Sequence, residues 1–311
     1  MRARTLFWIF LAQAIGGSTP ALTKLALEGF GPWSLVVIRQ LFGLVFLTLL
    51  IRVSSGHIRP QIRETFAAFD RRDWLLVLTL SWLGFALPQV LGAIGLQYST
   101  ATHGALLSPL EPIGILIGGA FLLGERLRSA RVAAVGLGVA GATLIVVQGD
   151  VDPAAGDLRG DLLMALGHLA WAVYTLAAKP LVDRHDPGRI AFLAVALSPI
   201  PLLPLALQEG FDASAALPAL GWLVLLAFLA TTLASFAWNR ALTDVSAGTM
   251  AVFIFLQPLW GLGLGRLLGE KVGALALAGA VLIVIGTLVG ALLGERGAPA
   301  PEPASGPGGG P

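Results

Sequence analysis

The chain has 311 residues, of which 56% are apolar and only 12% charged, with a net charge of +2 and a mean hydropathy of +0.82. Water-soluble domains carry about 25% charged residues, so most of this surface must face hydrocarbon. The absence of cysteine excludes disulfides, thiolate metal sites and cysteine nucleophiles, and the basic balance comes with no lysine or arginine cluster suited to nucleic acid.

Crossing a bilayer takes about 20 mostly apolar residues. Ten such runs follow one another, at 6–27, 33–51, 74–96, 101–123, 130–148, 161–180, 189–208, 217–239, 246–267 and 273–293. The expected fold class is therefore an all-α polytopic membrane protein with ten transmembrane helices. The first run, with Arg2 and Arg4 ahead of it and Ala12-Gln13-Ala14 inside it, has the outline of a cleaved secretory signal. Lys24 and Pro32 recur, however, as Lys179 and Pro187 at a single spacing of 155 residues, so the run reads as a permanent helix. The joints at 29–32, 183–188 and 208–214 are rich in helix breakers and polar groups.

The chain also says much of itself twice. Leu110-Glu111-Pro112 returns as Leu256-Gln257-Pro258, and Leu122-Leu123-Gly124-Glu125 returns letter for letter as Leu267-Leu268-Gly269-Glu270, at offsets of 146 and 145 residues. A repeat of about half the chain points to a duplicated membrane unit rather than a solenoid. Five helices per unit is an odd number, so the second unit enters the membrane upside down, and the expectation is two inverted five-helix repeats at 1–149 and 150–294. Beyond them, 295–311 is rich in Gly, Pro and Ala and reads as a disordered tail.

Basic residues set orientation. With the N-terminus cytoplasmic, fifteen lysines and arginines fall in inner segments and three, Arg159, Arg266 and Lys271, in outer ones. Both termini are thus expected inside a cytoplasmic membrane, and the loop from Gly149, with Asp150, Asp152 and Asp157, outside.

Charges at membrane depth are the sharpest functional signal, since each costs at least about 2.5–3.5 kcal/mol at a helix centre. Arg39 lies roughly 9 Å below the outer boundary and Glu111 roughly 15 Å, at 1.5 Å per residue. Either they line a central cavity, with Glu111 facing an ammonium group or carrying a proton and Arg39 facing a carboxylate, or they neutralise one another as a structural pair. Gln257 and Ala194 hold the matching positions in the second repeat, so any ionic site is asymmetric. Lys24 and Lys179 each close an apolar helix and read first as headgroup anchors, second as site residues. His168, Trp171 and Tyr174 are spaced to put two of the three on one face, either as an aromatic wall with a polar contact or proton relay, or as interhelical packing. His57, His103 and His185 read as solvated. Trp82, Trp171 and Trp238 are cavity candidates, while Trp8, Trp33, Trp74, Trp222 and Trp260 fall near span ends and suit an interfacial belt. Pro112 and Pro258 correspond in the two repeats and read as hinges or static kinks. Glycine rows at 114 and 118, at 261, 265 and 269, and at 286, 290 and 294 permit close helix contacts inside a monomer; helix 10 is the face a homodimer would use. Glu125 and Glu270, ending short turns, suit free amides at the next helix.

Taken together, the five-plus-five plan, the paired lysines, Arg39, the Glu111-Pro112 and Gln257-Pro258 helices and the Gly-Glu turns resemble the drug/metabolite transporter superfamily, in particular its members built from two EamA domains. The resemblance covers about 5–293. It implies export or exchange of small metabolites, often amino acids, by alternating access, with a zwitterionic substrate and proton coupling as the natural partners of Arg39 and Glu111 and no cofactor. Other organic exports and a membrane scaffold or sensor without flux are the competing readings. No His-Glu-x-x-His zinc motif, Gly-x-Ser-x-Gly elbow or Walker loop is present, so neither an intramembrane enzyme nor an ATP-driven pump is expected. Because the chain lacks cysteine, single-cysteine labelling of intact cells tests the topology directly: Gly56→Cys is expected to be protected from an impermeant maleimide and Asp152→Cys to react, and labelling of both from one face would refute the inverted threading.

Overall fold

The computed structural model describes residues 2–55, 68–147, 157–210, 212–267 and 273–293. His57, most of the acidic loop after Gly149, the second Gly-Glu turn with Glu270, and the tail 295–311 lie outside them. Ten helices are present among the described residues, and no strand. They are α1 (Ala3–Leu27), α2 (Pro32–Ser55), α3 (Arg71–Tyr98), α4 in two pieces (Ala101–Leu107 and Leu110–Leu122), α5 (Ser129–Val147), α6 (Leu158–Val182), α7 (Pro187–Glu209), α8 (Ala213–Leu242), α9 in two pieces (Ala247–Ile254 and Gln257–Leu267) and α10 (Ala274–Leu293). Nine of the described helices are long and apolar enough to cross a membrane, and the stretch Ala247–Trp260 is the shorter tenth.

The spans expected as single helices at 101–123 and 246–267 are each broken, at equivalent places and for one reason. Pro112 has no amide to offer the Ser108 carbonyl, which instead accepts from the Glu111 N–H at 3.1 Å. In α9 the turn before Pro258 tightens likewise, with Leu256 N–H donating to Phe253 O at 3.0 Å. A missing donor tightens or breaks the preceding turn. α3 and α8 carry matching π-helical stretches at Thr79–Ala86 and Ala227–Leu233. Such a wide turn leaves carbonyls to satisfy, and the Thr232 hydroxyl donates to Ala227 O and to Gly43 O of α2, both at 3.1 Å.

Packing is symmetric under exchange of the two halves. α1 lies against α8 and α9 of the second half, and α6 lies against α3 and α4 of the first. α5 pairs extensively with α10, α4 with α9 and α2 with α7, while the π stretch of α8 meets α2 and that of α3 meets α7. Swapping halves maps each contact onto another, so the fold is two interlocked, inverted five-helix repeats. We call the face where α1 begins the near face and the opposite one the far face.

The α5–α10 seam depends on the absence of side chains. A Cβ at Gly141 would lie 2.5 Å from the Gly279 carbonyl oxygen, and one at Gly286 would lie 2.9 Å from Ala134 O. Gly286 and Gly290 are buried here inside the monomer, so the glycine row considered for a homodimer is already occupied by α5. Gly279→Leu is therefore expected to destabilise the fold by about 1–3 kcal/mol or more, seen as a lower melting midpoint in detergent, whereas Gly136→Ala, with open space around its position, is expected to leave the midpoint unchanged or raise it slightly.

Candidate functional site

Between their ends the ten helices carry only four titratable side chains, Arg39, Glu111, His168 and Tyr174. Arg39 is 4% exposed, and its Nε donates to Thr231 Oγ1 in the π stretch of α8 at 2.8 Å. A guanidinium has five N–H donors, and among the described residues no carboxylate lies within ion-pair distance of this one. The structure does not bring Arg39 and Glu111 together as a neutralising pair: Arg39 faces α8, whereas Glu111 belongs to the contact of α4 with α6.

Glu111 is half-buried and shares a helix face with Gly114 and Gly118, three and seven residues on. That face meets α6, since a Cβ at Gly114 would lie 2.9 Å from the Ala172 Cβ. Its second-half counterpart Gln257 sits on α1, with Nε2 donating to Gln13 Oε1 at 2.9 Å. Gln257 can lie so low because α1 has glycine there: a Cβ at Gly16 would be 2.7 Å from Gln257 Nε2. The residue of α6 matching Gly16 is Trp171, whose ring packs against Phe85 and Tyr174.

His168 is directed at α4, where Nε2–H donates to Gly104 O at 3.1 Å. The tautomer is set by the carbonyl, so Nδ1 is left as an acceptor, buried and without a partner. Trp171 and Tyr174 do pack together, with ring centroids 6.0 Å apart, and Phe85 of α3 completes the cluster at 5.8 and 5.6 Å. Sequence reasoning missed Phe85 because nothing local marks one apolar residue of α3 as the partner of α6. Tyr174 accepts from Asn239 of α8.

The tryptophans expected at a cavity divide. Trp238 is half-buried with its Nε1 unpaired. Trp82 instead is 37% exposed, and its N–H donates to Leu197 O at 3.0 Å. That carbonyl would normally serve the amide of residue 201, which is a proline, so Trp82 has a structural task. Unpaired buried polar atoms also occur at Gln13 Nε2, Gln40 Nε2, Gln89 Oε1, Thr175 Oγ1 and Asn239 Oδ1. Each costs roughly 1–3 kcal/mol when left unmade, and helices of both halves contribute them. Among the described residues no cluster of His, Asp and Glu could hold a metal ion.

The two faces differ sharply. On the near face, Lys179 is no headgroup anchor: its ammonium donates to Asp183 at 2.7 Å and to Leu242 O of α8 at 2.9 Å. His185, expected in solvent, is bound by the buried Asp73 of α3 at 2.9 Å and stacks on Phe69, while Arg184 pairs with the same carboxylate. Glu125 caps not the helix after it but α9 of the other half, accepting from Ala247 N at 2.8 Å and Gly248 N at 3.0 Å, with Arg131 alongside at 3.3 Å. On the far face the residues matching Lys179, Asp183 and His185 are Lys24, Glu28 and Phe30. Lys24 is exposed and has no ion pair among the described residues, and Glu28 and Phe30 line a cavity of about 560 Å³ with Gly31, Gln97, Glu209 and Asp212. Bonds from the Ser214 hydroxyl and backbone hold the Asp212 carboxyl below the usual carboxylate range. Ties do remain on the far face, where Asp161 holds His103, itself expected in solvent, and Ser99. The near face thus carries ties whose far-face counterparts are not made among the described residues, although Glu209 of α7 also accepts from Ser34 N of α2 on the far face at 2.7 Å.

The sequence profile of the EamA-like transporter family matches the chain twice, over residues 3–147 and 158–291. Among similar proteins, an uncharacterized transporter of Archaeoglobus fulgidus is 26% identical over 263 residues, covering 84% of this chain and 87% of that one. The uncharacterized transporter YcxC of Bacillus subtilis is 26% identical over 296 residues, 92% of each chain, and the uncharacterized inner membrane transporter YhbE of Escherichia coli K12 is 25% identical over 284 residues, covering 88% and 86%. A solved crystal structure superposes with a TM-score of 0.76 at 19% identity, covering 95% of this chain and 100% of the other, which speaks to the fold alone. With ten apolar helices in two interlocked halves and both halves matched by one family, the chain belongs to the EamA-like transporters of the drug/metabolite transporter superfamily and is a multi-pass membrane transporter.

Proposed function

We propose that this transporter exports an amino acid or a closely related small metabolite across the cytoplasmic membrane by alternating access, with 1–149 and 150–294 as its two moving repeats. The observation that carries the reading is one-sided closure of a two-sided design. Lys179 is tied to Asp183 and Leu242 on the near face, whereas its counterpart Lys24 is free of ion pairs among the described residues and its neighbour Glu28 borders a cavity. An inverted repeat with one face closed has a second state of similar energy in which the closure is exchanged. With the near face and both termini in the cytoplasm, the side that the basic-residue bias favours, this arrangement corresponds to an outward-facing state.

Arg39 is the group for a substrate carboxylate. It is a buried cation with one of its five donors used, and a planar, pre-organised guanidinium matches a carboxylate in two parallel bonds. Trp171, Trp238 and the unpaired amides of Gln13 and Gln40 offer apolar surface and further hydrogen bonds to an organic solute. Pro112 and Pro258, just beyond the equivalent breaks in α4 and α9, serve as hinges.

Counterflow of a panel of the twenty common amino acids, radiolabelled, into proteoliposomes tests this. Arg39→Gln is expected to raise KM for a transported amino acid by about 10–100-fold, the worth of a charge-assisted hydrogen bond, while Lys24→Gln leaves it unchanged. No flux across the panel, together with metabolite pools that overexpression does not move, would overturn the reading in favour of a scaffold.

A further inference from the structure

The two halves carry one polar contact in two versions. In the second half, Gln257 of α9 donates to Gln13 of α1. Exchanging the halves maps this contact onto Glu111 of α4, 146 residues before Gln257, and His168 of α6, 155 residues after Gln13. Two observations show that this second version is prepared but not made. Nδ1 of His168 is buried, fixed as an acceptor by the bond of Nε2 to Gly104 O, and has no partner. Glu111 lies on the face of α4 that packs against α6, between the level of the Gly104–His168 bond and that of the Gly114–Ala172 contact, and no hydrogen bond to its carboxyl is present among the described residues.

We propose that Glu111 and His168 together form a proton-binding site, in which an undissociated Glu111 carboxyl donates its O–H to Nδ1 of His168 once α4 shifts along α6, with which it is already in contact. The inference rests on the alternating-access reading above and gives it a coupling ion. An amide always has a hydrogen to donate, so the α1–α9 contact forms at any pH. A carboxylate has none, so the α4–α6 contact forms only after Glu111 takes a proton from water. The proton is taken up while the far face is open, shared with Nδ1 in the exchanged conformation, and released to water at the near face. No bond other than those to the proton is made or broken, and the charge carried inward opposes the outward movement of substrate, which is antiport. The backbone differs as well: Gly16 lets Gln257 settle on α1, whereas the matching place on α6 carries Trp171.

The other titratable groups near the pair are engaged. On the far-face side His103 of α4 is bonded to Asp161 of α6, and on the near-face side Tyr174 of α6 is bonded to Asn239 of α8. The elements packed against α4 and α6 bring no others to this level: α3 has none between Asp73 and Tyr98, α5 none after Arg131, α8 none before Arg240, α7 none between Arg189 and Glu209, and α9 none before Arg266.

The test needs no substrate. Val245→Cys, in the near-face turn between α8 and α9 and 5% exposed, reports opening of that face by maleimide labelling of the purified protein in proteoliposomes. Labelling is expected to rise on acidification by up to about tenfold per pH unit, the limit for one proton. The near face also holds His185 beside Asp73, so the informative quantity is the difference between backgrounds. In Glu111→Gln, a permanent donor, labelling is expected to be high and free of that pH response. Glu111→Asp keeps the response, and His168→Leu, without an acceptor, shifts it to lower pH. A wild-type response that persists in Glu111→Gln, or a wild type with none, overturns the proton site whatever the amino-acid flux. A lost response in Glu111→Gln without amino-acid flux upholds the site and overturns only the choice of substrate.

Discussion

In hydrocarbon no water is at hand for a polar group, so each one must be satisfied from within the protein. Most of the arrangement described above follows from that. Where Pro201 removes a donor, the indole of Trp82 reaches across from α3 to the orphaned Leu197 carbonyl. Where a π stretch widens α8, Thr232 gathers the loose carbonyls and Thr231 receives Arg39. Where α9 begins, the Glu125 carboxylate of the other repeat supplies two acceptors for its first amides. Against such thorough accounting, the groups left unpaired gain meaning, because each costs enough that a stable fold retains few without use. They are spread over helices of both repeats, as expected of a site that a solute passing between the halves completes.

The same scarcity of polar glue explains why close backbone contact matters. Lipid tails are as apolar as leucine, so helices gain little from mere burial and associate through tight packing. Gly141 against Gly279 and Gly84 against the Tyr174 backbone are places where a methyl group would not fit. These seams fix α5 to α10 and α3 to α6 as rigid pairs. Freedom is left where α4 and α9 are interrupted, one turn before a proline in each, and there the two repeats differ in chemistry: a glutamine in one, a glutamate in the other.

Much of this was legible before any fold was known, because hydropathy, proline position and duplication are properties of short windows or of the chain compared with itself. Ten spans, the correspondence of Glu111-Pro112 with Gln257-Pro258, and the presence of an arginine and a glutamate at depth all required no partner to be identified. What failed failed for a common reason. His185 read as solvated because its neighbours in sequence are loop residues, yet Asp73, 112 residues away, holds it. Lys179 read as an anchor because it ends an apolar helix, yet Leu242 of another helix receives it. Trp82 read as a cavity residue because it lies deep in its span, yet it is exposed and its indole is taken by the Leu197 carbonyl of α7.

The amino-acid sequence by itself thus determined that the chain is a membrane protein of two like halves and which side chains lie at depth. Local hydrophobicity and hydrogen-bond supply admit no other solution. Only the tertiary structure decided which polar groups meet, that Arg39 and Glu111 face different neighbours, and that Lys179 is tied to another helix while, among the described residues, Lys24 is not. Those outcomes depend on contacts between different helices, such as Asp73 with His185 and Lys179 with Leu242, and a symmetric pair of halves gives no local sign of which copy of a position is tied.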